Sequence, residues 1–123
     1  MSFYYLATPY SKYPEGENLY QRLNNAFLMA CRQAALLIKA KVPVYSPIAH
    51  THPIAMHNAM DPLDHGIWLP ADTPMMEAAR GLIVVKAPSW ESSYGISKEI
   101  EHFTAAGKPI LWMDVDVLPE EFK

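Results

Sequence analysis

The chain has 123 residues, of which half are hydrophobic and 19% are charged, and its formal net charge is -3. This length predicts a single domain over residues 1–123, and the composition excludes a disordered chain. The negative net charge argues against a protein that binds nucleic acid polymers, because such proteins usually carry a basic face.

The cysteine content and the N-terminus predict a cytoplasmic protein. Cys31 is the single cysteine and cannot form an intrachain disulfide, which is typical of a reducing compartment. The N-terminal segment shows no basic region followed by a long apolar core, so we expect no signal peptide. No apolar run approaches the length that spans a bilayer, so we expect no membrane partner.

Short apolar segments alternate with helical patterns along the chain. Strands are predicted near residues 2–7, 42–46, 82–86 and 109–113. Residues 17–41 contain no proline or glycine and place apolar side chains at spacings of three and four, which predicts a long helix. A later helix is predicted from about Ser93 to Ala106, ended by Gly107. The alternation indicates an α/β domain with a parallel sheet.

Residues 47–74 are rich in proline and histidine, and their pattern is less regular. Short helical pieces are predicted near 52–60 and 73–80, with Asp72 or Thr73 as the N-cap of the second. A long irregular segment in a small domain is usually a binding lid or an oligomer contact. Its histidines match no compact metal motif, so we expect a structural or oligomer-lining role and no metal.

The turn at residues 92–100 carries the strongest functional signal. Ser93 and Gly95 open a helix directly after a buried strand, where free N–H groups and the helix dipole favour a phosphate or carboxylate. The alternative is that Ser93 only caps the helix and Gly95 only relieves crowding. Glu99 lies one turn further on the same side as Gly95, where a buried carboxylate could attack a sugar carbon; otherwise it is a solvated surface residue.

Three further side chains are candidates for contacts with a nucleobase. Asp72 could donate a proton to a leaving base, or accept a hydrogen bond from it, if it is not simply a helix cap. Trp68 and Trp90 could stack on the base, although core or interface positions explain them equally well.

These segments resemble the nucleoside 2-deoxyribosyltransferase-like family, in particular a small bacterial and phage branch close to the nucleoside 5′-monophosphate N-glycosidases. The resemblance rests on the segment YLATPYS at residues 5–11, on Asp72, on the pattern Ser93-x-Gly95-x-x-x-Glu99-Ile100, and on GKPI at residues 107–110. It spans residues 4–113. It implies a flavodoxin-like three-layer sandwich whose four- or five-stranded parallel sheet has the order 2-1-3-4.

The resemblance also implies an activity and the roles of its residues. Glu99 matches a nucleophile that attacks the anomeric carbon, and Tyr5 matches a tyrosine that orients this carboxylate. Asp72 matches an acid that assists the departure of the base. At the position of Ser93, transferases commonly carry an aspartate and relatives acting on 5′-monophosphates carry a serine. A carboxylate would repel a phosphate, so we expect a nucleoside 5′-monophosphate substrate and hydrolysis of its N-glycosidic bond.

Several expectations complete this hypothesis. Ser11 or Lys12 in the first loop could add phosphate contacts. The chemistry requires no metal or organic cofactor, and the family implies a homo-oligomer, dimer or tetramer, for which residues 47–74 would suit the interface. Arg80 stands where many relatives carry an aspartate, and residues 101–103 replace small residues that usually follow the nucleophile.

Three other functions stay open. A nucleoside 2-deoxyribosyltransferase would exchange bases and be indifferent to the phosphate. A non-catalytic module would bind a nucleotide on the same scaffold without turnover. A metal-dependent hydrolase using the histidines is the most distant of the three.

Overall fold

The computed structural model describes residues 2–123, which form one parallel sheet and four α-helices. In chain order these are β1 (Tyr4–Ala7), α1 (Leu19–Lys39), β2 (Val44–Tyr45), α2 (Pro47–His57), α3 (His65–Ala78), β3 (Gly81–Val85), α4 (Tyr94–Ala105) and β4 (Ile110–Met113). Single 3-10 turns lie at Trp90–Ser92 and Glu120–Phe122. The strand order β2-β1-β3-β4 confirms the predicted α/β class and order, and the architecture is consistent with a flavodoxin-like fold.

Successive side chains along each strand point to opposite faces of the sheet, so the core is divided into two clusters, one on each face. Leu6 and Ile83 point to one face, where they pack with buried side chains of α1. Tyr5 and Leu82 point to the other face, where they pack with α3 and α4. Every residue of β3 is buried, as expected for a central strand covered by helices on both sides.

The helix ends follow the local signals in the sequence. Asn18 caps α1 by accepting a hydrogen bond from the Gln21 N–H at 2.9 Å, so the helix starts two residues later than predicted. Ser93 caps α4 in the same way. Gly107 follows α4 with a φ of +68°, the left-handed conformation that glycine adopts most readily, as predicted.

The prediction for residues 47–74 was wrong in its boundaries, because α2 and α3 run through three prolines. Asp64, not Asp72 or Thr73, caps α3 by accepting a hydrogen bond from the Gly66 N–H at 3.0 Å. Pro70 and Pro74 lie on the exposed side of the helix, so the carbonyls that they leave unpaired can reach water. Asp72 therefore lies in the interior of a helix.

The C-terminal segment is attached to the core through one buried side chain. The amide of Gln33, a fully buried residue of α1, donates to the Asp116 carboxylate and accepts from the Asp116 N–H, both at 2.8 Å. Leu118 and Phe122 pack against the same core cluster. Within residues 2–123, none of the helices has both the length and the apolar character needed to cross a membrane.

Candidate functional site

The main cleft lies at the carboxyl edge of the sheet, where the strand order changes direction. The chain leaves β1 toward β2 on one side and later returns through β3 on the other side of β1. Loops diverge at such a switch point and leave a crevice, which is the usual ligand site of open α/β sheets. The cleft is lined by residues from the first loop, α2, α3 and the start of α4.

Glu99 is a buried carboxyl group at the bottom of this cleft. It lies in the second turn of α4, with 9% of its surface exposed, and it faces Tyr5 of β1. Its pKa is raised to about 8, mainly by burial and to a smaller extent by the Asp72 carboxyl, whereas a hydrogen bond from Tyr5 opposes the rise. The site therefore holds an acid whose proton can be exchanged near neutral pH.

Asp72 enters the cleft from α3 and contacts a tyrosine that the sequence analysis did not select. The hydroxyl of Tyr45, at the end of β2, donates to the Asp72 carboxylate at 3.4 Å. Burial raises the pKa of Asp72 to about 6, while the Tyr45 hydrogen bond and nearby His50 oppose this rise. Two coupled carboxyl groups with separated pKa values are a common arrangement for general acid and nucleophile chemistry.

The N-terminus of α4 presents hydrogen-bond donors at the same cleft. The Ser93 hydroxyl oxygen accepts from the Ile96 N–H at 3.2 Å, so Ser93 caps the helix, as one of its two predicted roles requires. The hydroxyl proton is not used in this bond and can be donated to a ligand. In the described chain the N–H groups of Tyr94 and Gly95 make no backbone hydrogen bond. A Cβ on Gly95 would meet only the Ser93 hydroxyl, at 3.9 Å, so the space in front of these groups is open.

The cleft brings together most, but not all, of the residues predicted from the sequence. It is lined by Tyr5, Ser11, Trp68, Asp72, Ser93, Gly95 and Glu99. Lys12 and Trp90 do not line this cleft, and their contacts with a ligand stay predictions. Lys12 is exposed within the first loop, and the Trp90 ring packs edge-on against Trp112 with centroids 5.5 Å apart.

The cleft also contains polar residues that sequence reasoning missed. Thr8, Tyr10, His65, Tyr94 and Lys98 all line it. Thr8 and Tyr10 lie inside the segment YLATPYS, directly after β1, so their position at a strand end was a usable signal. Lys98 lies one helical turn beyond Tyr94, on the same side of α4, which is the signal that could have identified it.

The histidines of α2 and α3 have separate surroundings rather than a common centre. His52 is buried, stacks on Phe27 with centroids 4.7 Å apart, and shares a hydrogen bond between its Nδ1 and the Tyr10 hydroxyl. Burial lowers the pKa of His52, so its ring is neutral and structural. Within residues 2–123, no three His, Cys, Asp or Glu side chains form a group that could hold a metal ion.

Comparison with known sequences assigns a family to the fold and cleft described above. A search of curated proteins returns no match to the chain. A family model described as "Domain of unknown function (DUF1937)" matches residues 2–115, a range that includes every residue of the cleft. The chain therefore belongs to the DUF1937 family.

Proposed function

We propose that this protein hydrolyses the N-glycosidic bond of a nucleoside 5′-monophosphate through a covalent glycosyl intermediate on Glu99. The observation that supports it best is the presence of a buried glutamate, its tyrosine partner and a second carboxyl group in one cleft. Tyr5, Asp72 and Glu99 come from three different elements and converge there. Retaining glycosidases use such a pair of carboxyl groups.

The reaction would proceed in two displacements. In the first, the Glu99 carboxylate forms a bond to the anomeric carbon while the bond from this carbon to the base nitrogen breaks. The electron pair leaves with the base, which Asp72 protonates. In the second, water attacks the anomeric carbon, gives its proton to Asp72 and releases Glu99 and the sugar phosphate.

Tyr5 would keep Glu99 oriented for the attack. Its phenol is 1% exposed, and burial and the adjacent Glu99 raise its pKa far above the usual range. The phenol therefore stays protonated and, in the proposed reaction, would donate to the carboxylate. A donated hydrogen bond stabilises the ionised form of Glu99, which is the form that attacks.

The start of α4 would hold the 5′-phosphate. Ser93 and the N–H groups of Tyr94 and Gly95 supply donors without adding a negative charge to the phosphate pocket. An aspartate at position 93 would repel the phosphate, so the serine favours a nucleotide over a nucleoside. This difference separates the proposal from base exchange between nucleosides.

One observation favours a second candidate, a non-catalytic nucleotide-binding module. With a pKa of about 8, Glu99 is mainly protonated at neutral pH, and a protonated carboxyl group is a poor nucleophile. A module that only binds nucleotides has no need of an ionised glutamate and would tolerate this protonation state.

Incubation with a panel of ribo- and deoxyribonucleoside monophosphates tests the proposal by the release of free base. We expect release by the natural sequence and none by Glu99→Gln, while Glu91→Gln, an exposed acid before α4, serves as the matched control. Binding without base release would support the non-catalytic module. Exchange of an added base between deoxynucleosides, unaffected by a 5′-phosphate, would support the transferase.

A further inference from the structure

Lys98 adds a positive charge to the lining of the cleft, one helical turn after the first residue of α4. Its side chain lines the cleft, and its ammonium group lies 5.5 Å from the centre of the Tyr94 ring. Its ion pair with Glu101 is long, at 3.5 Å, and the two side chains are 42% and 72% exposed. Such a solvated pair is weak, so a doubly charged phosphate would compete for Lys98 effectively.

Thr8 carries a buried hydroxyl group that has no partner. It follows β1 at the carboxyl edge of the sheet, lines the same cleft, and is 5% exposed. Its Oγ1 makes no hydrogen bond to any residue in the described range 2–123. Buried polar groups are almost always paired, so the unpaired hydroxyl of this cleft-lining residue is a candidate donor to a ligand in the cleft.

A side-chain contact joins the starts of α3 and α4 at the cleft. His65, the first residue of α3, packs against the Tyr94 ring with centroids 4.5 Å apart and an angle of 42° between the rings. The starts of α3 and α4 therefore meet at this point, and both helix dipoles direct their positive ends toward it.

We propose that Lys98 and Thr8 complete an anion-binding subsite with Ser93 and the first N–H groups of α4, and that this subsite takes a phosphate monoester dianion. Lys98 supplies the charge, and Thr8 supplies a hydroxyl donor. The identity of the rest of the substrate rests on the proposed function, but the binding of a phosphate by these residues does not.

Binding of inorganic phosphate, and of a nucleoside with and without its 5′-phosphate, tests Lys98 by calorimetry. For Lys98→Met we expect about tenfold weaker binding of phosphate and of the nucleotide, with the nucleoside unaffected and with partial recovery in Lys98→Arg. Lys39→Met removes an equal charge from the exposed end of α1 and should change none of the three affinities. Equal affinities in Lys98→Met and the natural sequence would overturn the role of Lys98.

Thr8→Val separates a ligand contact from a structural contact. The substitution removes an unpaired buried hydroxyl at constant shape, so we expect the melting temperature to rise by about 3 °C while phosphate binding weakens. Thr8→Ser should retain phosphate binding. A fall in melting temperature with unchanged phosphate affinity would mean that Thr8 is structural and would overturn its assignment.

The outcomes also separate this subsite from the proposed reaction. If phosphate binding depends on Lys98 and Thr8 but no nucleotide releases its base, the subsite stands and the glycosidase proposal fails. If base is released, and the KM for nucleotides in Lys98→Met and in Thr8→Val equals that of the natural sequence, the glycosidase proposal stands and the subsite fails.

Discussion

Tyr5 and Glu99 form a buried side-chain pair that joins the first strand of the sheet to α4. The two residues are 1% and 9% exposed, and the phenol of Tyr5 lowers the pKa of a carboxyl group that burial raises. The Asp72 carboxyl, on the other side of the cleft, raises the pKa of Glu99. The protonation state of Glu99 is therefore set by burial first and adjusted by two neighbours of opposite effect.

Substitution of the two neighbours should shift the pKa of Glu99 in opposite directions. Tyr5→Phe removes the hydrogen bond that lowers this pKa, so it should rise above about 8. Asp72→Asn removes the charge that raises it, so it should fall. Carbon-13 NMR titration of the Glu99 carboxyl resonance measures both shifts, and shifts of the same sign would contradict the described coupling.

Glu99 should make the folded protein less stable as the pH rises. Folding raises its pKa from 4.5 to about 8, so between these values the folded protein binds more protons than the unfolded chain. Stability from this group is complete below pH 4.5 and is lost as pH rises toward 8. Glu99→Gln should therefore raise the free energy of unfolding by roughly 5 kcal/mol at pH 9 and have little effect at pH 4.5.

Urea unfolding at both pH values measures this difference, with Glu91→Gln as the control. Glu91 is exposed, so its substitution should give the same small effect at each pH. A constant stability difference for Glu99→Gln across this range would mean that Glu99 ionises at the same pH in the folded and unfolded protein.

The rate of base release should have a bell-shaped pH dependence. The proposed reaction needs Glu99 ionised and Asp72 protonated, so the pair must hold one proton. With pKa values of about 6 for Asp72 and about 8 for Glu99, the pair holds one proton between these limits, mostly on Glu99. The reactive form, with the proton on Asp72, is therefore a minor species, and its population is highest in this pH range. We expect kcat/KM to fall below pH 6 and above pH 8. A profile that stays flat from pH 5 to 9 would exclude this pair as the acid and nucleophile.

Lys108 should stabilise the helix that carries Asp72. Its ammonium group donates to three carbonyls at the end of α3, those of Met76, Glu77 and Ala79, at 3.3, 2.6 and 2.7 Å. Lys108→Met leaves these carbonyls without their charged donor, and we expect a loss of about 1–2 kcal/mol in the free energy of unfolding. Lys123→Met, which removes only an exposed pair with Glu120, should cost almost nothing.

The sequence was sufficient for the features that local chemistry determines. Strand positions, the Ser93 cap and the left-handed Gly107 follow from short patterns, and the strand order β2-β1-β3-β4 agrees with the resemblance. The gathering of Tyr5, Asp72 and Glu99 in one cleft also agrees with the motifs. The nucleoside-cleaving role of these residues stays a prediction.

The sequence was insufficient where distant contacts override local signals. Pro70 and Pro74 indicate a break in the chain, but α3 continues through them because they face solvent and because Lys108 caps its end. Asp72 consequently points into the cleft from a helix interior. Similarly, the pairing of Gln33 with Asp116 joins residues far apart in the chain, and no local pattern predicts it.

The central proposal is a covalent bond between Glu99 and the sugar, and intact mass measurement after rapid acid quenching tests it most directly. The protein should gain the mass of a sugar phosphate during turnover of a nucleoside monophosphate, and peptide mapping should place this mass on Glu99. The adduct should be absent in Glu99→Gln and present in Glu91→Gln. Base release without any adduct, or an adduct on another residue, would contradict the proposed mechanism.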